Sequence, residues 1–305
     1  MNIIIEQIFA LFAFAAVGFL LSKAGIVKKE HSVILSKLLV YVFLASNIIR
    51  TFAKNCTVSY ISENYRIILA SFVIICVLAV SMHLAAKLFS KDRTERSVIE
   101  YSLIIPNYGY MGYALAEALL GPSGLMDGMM FAIPMSLYIY TIGYCILSGK
   151  KLSFRNLLNP TMVALLIGVF LGLSGIGAHI PSGVFSMLDK ASACMAPVSM
   201  LLTGIVISEF GIKNMLKDPR VYIISVLRLI FIPAAIGGAL VLTGFREALP
   251  VAVLFYCMPC GLNTVVFVKN AGGNCEQGAG LALASNILGC LTIPLILMLF
   301  GIQIA

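Results

Sequence analysis

Ile105-Pro106-Asn107-Tyr108-Gly109-Tyr110-Met111-Gly112 and Cys257-Met258-Pro259-Cys260-Gly261-Leu262-Asn263-Thr264 are the two stretches on which the fold turns. Each lies inside a long hydrophobic run and joins a proline to glycine and asparagine. Proline removes a backbone hydrogen bond and glycine weakens the helix beyond it, so both runs are expected to break. Irregular backbone at membrane depth is tolerated only where it is buried or lines a wet cavity. Two broken helices would offer free N–H and C=O groups there, and half-helix N-termini carry partial positive charge that suits an anion.

The rest of the chain supplies the membrane. Of 305 residues, 60% are hydrophobic and only 11% charged, with a mean hydropathy of +1.02, far from the composition of a soluble domain. A bilayer core needs about 20 mainly apolar residues per helix. About ten such spans fit, near 2–22, 33–52, 66–87, 97–119, 126–148, 158–176, 183–209, 220–243, 249–268 and 277–301. The first could pass for a signal peptide, but Met1 to Glu6 lacks a basic n-region, so it reads as a span.

The net charge of +8 follows topology and not nucleic acid. Loops after odd-numbered spans carry Lys23, Lys28, Lys29, Lys87, Lys91, Arg93, Arg96, Lys150, Lys151, Arg155, Lys213, Lys217, Arg220 and Lys269. Loops after even-numbered spans carry only Arg50, Lys54, Arg66 and Arg246, a ratio of 14 to 4. The positive-inside rule then puts the odd loops in the cytoplasm and both termini outside, with the chain in the cytoplasmic membrane.

Pro259 follows Pro106 by 153 residues, and the same offset pairs Lys37 with Lys190 and Ser46 with Ser199. Five spans precede the basic segment that begins at Lys150 and five follow it. An odd number per half forces the second half to run inverted, so residues 1–149 and 150–305 are expected to be two inverted five-helix repeats, with broken helices 4 and 9 crossing at the midplane. The expected fold is all-α and integral to the membrane.

The order of Pro106-Asn107, Gly112 and Gly121, Asn159-Pro160, Ala196-Pro197 and Gly204, Arg228 and Pro233, Met258-Pro259, and Pro294 resembles the auxin efflux carrier family, whose bacterial members are called malate permease-like or PIN-like carriers. The resemblance implies a scaffold of spans 1, 2, 6 and 7, a transport domain of the remaining spans that moves as an elevator, carboxylate-bearing substrates and often a homodimer. It assigns Pro106, Asn107 and Pro259 to the crossover. The long cytoplasmic loop of plant members is missing, and Tyr108, Tyr110 and Tyr113 replace the smaller groups common in the family, so auxin itself is not the expected substrate.

The expected function is therefore secondary transport of a small organic anion, with Pro106, Asn107, Tyr108, Gly109, Pro259, Cys260 and Asn263 around the substrate. Intramembrane charges are costly and default to functional candidates. Glu117 reads as a candidate proton carrier, Arg228 as an anion-attracting or gating group, and Lys190 as paired with its neighbour Asp189. His83 reads as an interfacial histidine, with a proton relay as the alternative. No carboxylate lies within a turn of either proline, so a coupling proton is preferred over sodium. Two other classes stand beside transport: a membrane redox enzyme using Cys257 and Cys260, a C-x-x-C pair, and a non-transporting sensor on a transporter fold. The eight cysteines otherwise read as small hydrophobes. No nucleotide loop, zinc set or hydrolytic triad is present in a suitable context, and the residues call for no cofactor and no metal.

Overall fold

The computed structural model describes residues 2–151, 158–209, 217–270 and 272–302. Arg155 and Lys213, two of the bases used to orient the chain, lie outside the described residues. The described chain is helical: α1 (Asn2–Lys23), α2 (Glu30–Asn55), α3 (Val58–Phe89), α4 (Arg93–Ile104), α5 (Tyr108–Ser148), α6 (Pro160–Leu173), α7 (Ser182–Ser208), α8 (Pro219–Thr243), α9 (Leu249–Tyr256), α10 (Asn263–Asn270) and α11 (Glu276–Leu299). Seven of these, α1, α2, α3, α5, α7, α8 and α11, are long and apolar enough to cross a membrane. The protein is a multi-pass membrane protein.

The expected fourth and ninth spans are not continuous helices. The fourth divides into α4 and the start of α5, and the ninth into α9 and α10, at the two proline stretches. The sequence also suggests an outer loop over 121–127. Instead α5 is interrupted at Gly121 alone, where φ is 73° and ψ −172°, and Pro122 restarts the helix. A side chain at that φ would be strained, and proline at a first helical position has no N–H to lose.

Local chemistry sets the helix starts. Asn159 accepts from the Met162 N–H at 3.1 Å with Pro160 at the first helical position, which explains the Asn-Pro pair opening α6. Thr57, Asp92 and Asp218 cap α3, α4 and α8 in the same way. Arg220, hydrogen-bonded to Asp218 at 3.0 and 2.8 Å, holds that carboxyl below the usual carboxylate range.

The helices pack as two groups. In the first, α1 lies along α7, and α2 lies against α6 and α7. A Cβ on Gly18 or Gly204 would strike the backbone of the facing helix, so these glycines let α1 and α7 approach through their main chains. In the second group, α3 packs on α4 and α5, α9 on α5 and α8, and α8 on α11. Outward-facing residues are as apolar as the core, with Phe9, Leu88, Leu242 and Leu291 between 71% and 88% exposed. That is the expected pattern where lipid is the solvent.

Ion pairs hold the two ends of the bundle separately. At one end Arg50 meets Glu117 and Asp189, and Arg66 meets Glu247. At the other end Arg220 meets Glu95 and Asp218, beside a hydrogen bond between His83 and Glu100. Among the described residues every such pair joins groups that the charge alternation assigns to the same side.

Candidate functional site

The two broken segments touch. Pro106 and Cys260 form an isolated antiparallel bridge, and the Asn107 N–H donates to the Pro259 carbonyl at 2.9 Å. The Cys260 N–H donates to Ser285 Oγ of α11 at 2.9 Å, which fixes the second segment from behind. Asn263 Nδ2 donates to the Tyr101 hydroxyl of α4 at 2.9 Å, tying the start of α10 to the opposite half-helix.

The front of this crossover is a cavity of about 60 Å³. It is lined by Pro106 to Tyr110 and by Gly261 to Asn263, with Val40, Leu44 and Thr161 closing it from the other helix group. The cavity thus lies in the seam between the two packing groups. It has room for a few ordered waters or a very small anion. Two half-helices, α5 and α10, begin at its wall; the Asn107 and Leu262 carbonyls take the Met111, Gly112, Val265 and Val266 N–H groups, and the N–H groups ahead of these have no acceptor within their own helix. Asn107 is 4% exposed, and its Nδ2 has no partner among the described residues. A buried donor left unpaired costs about 1–3 kcal/mol, which a ligand acceptor would recover.

The wall is also unusual in its winding. π-helical turns occur at Leu39–Leu44, Tyr108–Gly112, Ile139–Gly143 and Leu227–Phe231, and the first three contribute residues to the cavity. Such turns gather at functional sites because they re-aim side chains without ending the helix. Here Tyr108 reaches Ser136 Oγ at 2.8 Å and Tyr140 reaches Thr161 Oγ1 at 3.2 Å. The latter bond crosses the seam.

The family described as Membrane transport protein matches residues 3–155 and again 145–297. The chain belongs to that family, the auxin efflux carriers. It is 21% identical over 301 residues to an uncharacterized transporter of Methanothermobacter thermautotrophicus, covering 95% of this chain and 96% of the relative. It is 24% identical over 209 residues to an uncharacterized transporter of Methanocaldococcus jannaschii, covering 65% of this chain and 67% of the relative. The protein is thus a membrane transport protein, as its relatives are named to be.

The remaining candidates separate from the cavity. Pro259 and Cys260 form the crossing strand and do not line it. Cys257 and Cys260 are buried, free thiols whose sulfurs approach the carbonyls of Leu254 at 3.1 Å and Ser102 at 3.9 Å.

Arg228 was expected to attract anions, yet it is 0% exposed and sits behind the crossover. Its Nη1 donates to the Leu103 carbonyl at 3.3 Å, and its guanidinium lies 5.3 Å from the Tyr256 ring centroid. The reason is local: Pro106 has no N–H for the Ser102 carbonyl, and the Asn107 N–H that would serve Leu103 goes to Pro259. Arg228 and Cys260 supply donors to those two carbonyls. Half-helices α4 and α9 both end here with partial negative charge, and the guanidinium meets it.

Asp189 pairs not with Lys190 but with Arg50, at 3.2 Å, and Lys190 is exposed. Adjacent helical residues point about 100° apart, so sequence neighbours seldom face each other. Glu117 takes the other side of the same guanidinium at 2.6 Å. Sequence reasoning missed Arg50, Tyr101 and Ser285. Ser285-Asn286 is a polar pair within the apolar run of α11, and that was the available signal.

Proposed function

We propose that this chain is a secondary transporter that moves a small organic anion, carboxylate in class, across the cytoplasmic membrane by alternating access. In this reading ten membrane-crossing elements form two inverted five-helix repeats, residues 1–149 and 150–305, and both termini lie outside. The spans α1, α2, α6 and α7 form the scaffold, and the remainder moves as an elevator. A homodimer arranged through the scaffold fits this division.

The observation that carries the reading is the unpaired Asn107 amide, set with two half-helix N-termini at a cavity in the seam between the helix groups. Positive partial charges converge there without a fixed cation, which favours a carboxylate and still permits release. The thiol pair gives no comparable support to redox chemistry, since both sulfurs are buried against carbonyls.

The test is a thermal-shift screen of purified protein against small mono- and dicarboxylates, followed by affinity measurement on Asn107→Ala. Loss of one donor is expected to weaken binding by about 1–3 kcal/mol with unchanged monodispersity. Asn64→Ala, on α3 with its amide bonded to its own backbone, serves as control. Equal affinity in the two variants would remove the crossover as the anion site.

A further inference from the structure

A second polar centre lies on the half-helix that leads to the crossover. Glu100, on α4, has a side chain only 7% exposed, and its carboxylate is 3.0 Å from His83 Nδ1 on α3. His83 is half exposed, at 49%. Both line a crevice of about 740 Å³ together with Arg93, Arg96, Ser97, Tyr138 and Cys145. Tyr138 is 6% exposed, within electrostatic reach of Glu100, and its hydroxyl has no partner among the described residues.

We propose that the His83–Glu100 pair is an exchangeable-proton site, filled through this crevice from the face that carries the 87–96 basic loop. The proton binding stands on its own geometry; its coupling to anion movement rests on the transporter reading above. With neutral imidazole and ionised carboxylate the pair carries one negative charge, held on a Glu100 side chain only 7% exposed. Uptake of one proton from crevice water makes the pair neutral overall, as imidazolium with carboxylate or as imidazole with carboxylic acid. The half-exposed ring is the entry point, because it stands between the crevice and the enclosed Glu100 carboxylate.

Other charged groups lie around the pair. Arg93 and Arg96 on α4 line the crevice with fixed positive charge. On α3 the partner is His83, on α5 the neighbours are Tyr138 and Cys145, and on α8 Arg228 is turned to Leu103. Asn263 of α10 is bonded to Tyr101, and Glu276 of α11 lines a different cavity with Asp92 and Glu95. Glu117 is held by Arg50, so it does not compete for the role. Glu100 precedes Pro106 by six residues, about 9 Å of helix, so its charge moves with the crossover if α4 moves.

The experiment is infrared difference spectroscopy of the purified protein in lipid, acid minus neutral, between about pH 5 and 8. A protonated-carboxyl band or an imidazolium signature should titrate in the native chain. Glu100→Gln should remove the band and His83→Gln should shift its midpoint, each with monodispersity retained. If Glu100→Gln does not fold, Glu100→Asp with His83→Gln carries the same comparison. Signals unchanged in the Glu100 and His83 variants, or no titration at all, would overturn the site. A second arm reads thermal stabilisation by malonate against pH, expected to vary in the native chain and to flatten in Glu100→Gln. A flat native response with malonate bound would sink the coupling. If malonate does not bind while the bands titrate, the carboxylate reading fails and the proton site stands.

Discussion

The two faces of the crossover solve opposite problems. At the back, the broken helix α4 leaves the Ser102 and Leu103 carbonyls without helical donors, and Cys260 and Arg228 Nη1 donate to them, while Arg228 Nε and Nη2 stay without a partner among the described residues. At the front, helices α5 and α10 begin at the cavity with the positive ends of their dipoles, and the Asn107 side-chain amide there is unpaired among the described residues. One break in each chain segment creates both faces, because every interrupted helix has a negative end and a positive end. The back encloses a fixed cation, Arg228, at 0% exposure and reads as architecture, while the front opens on the cavity that Asn107 lines and reads as the candidate site.

The largest expected effect comes from emptying the back. Arg228→Ala removes the donor to Leu103 and leaves a void beside Tyr256, and should cost about 3–5 kcal/mol of stability, seen as loss of monodispersity or a strongly lowered melting temperature. Arg228→Lys should recover part of that, since the charge returns without the planar fork. An Arg228→Ala protein as stable as the parent would show that the carbonyls need no internal countercharge.

Next comes the front, where Asn107→Ala is expected to weaken ligand binding by about 1–3 kcal/mol and leave the melting temperature of the empty protein unchanged or raised, because an unpaired buried donor is removed. A drop in stability without a change in affinity would assign Asn107 to the architectural face instead.

The seam offers a smaller effect. Arg50 on α2 binds Glu117 on α5 across the two helix groups, while its other partner Asp189 belongs to its own group. Both carboxylates are partly exposed, so the pair contributes within about 1 kcal/mol. Glu117→Gln is expected to change the transport rate a few-fold and leave ligand affinity as it is. A large change in affinity would place Glu117 in the binding chemistry.

The smallest effect is expected for the thiols: replacing Cys257 and Cys260 by alanine and serine should leave binding within about two-fold, since buried thiols act as small hydrophobes and weak donors. Abolished activity in a monodisperse double variant would revive the redox reading.

The sequence alone determined the membrane character and the breaks at Pro106 and Pro259, because hydropathy and a missing N–H act locally. It also separated the two ends of the bundle, since basic residues track loops and loops alternate sides. It did not reveal that Arg228 faces away from the cavity, that Asp189 belongs to Arg50, or that Glu100 is enclosed against His83. Each of those depends on which face of a helix meets which neighbour. In a chain whose lipid-facing and inward-facing residues are equally apolar, no periodicity marks that face, so only the packed structure decides it.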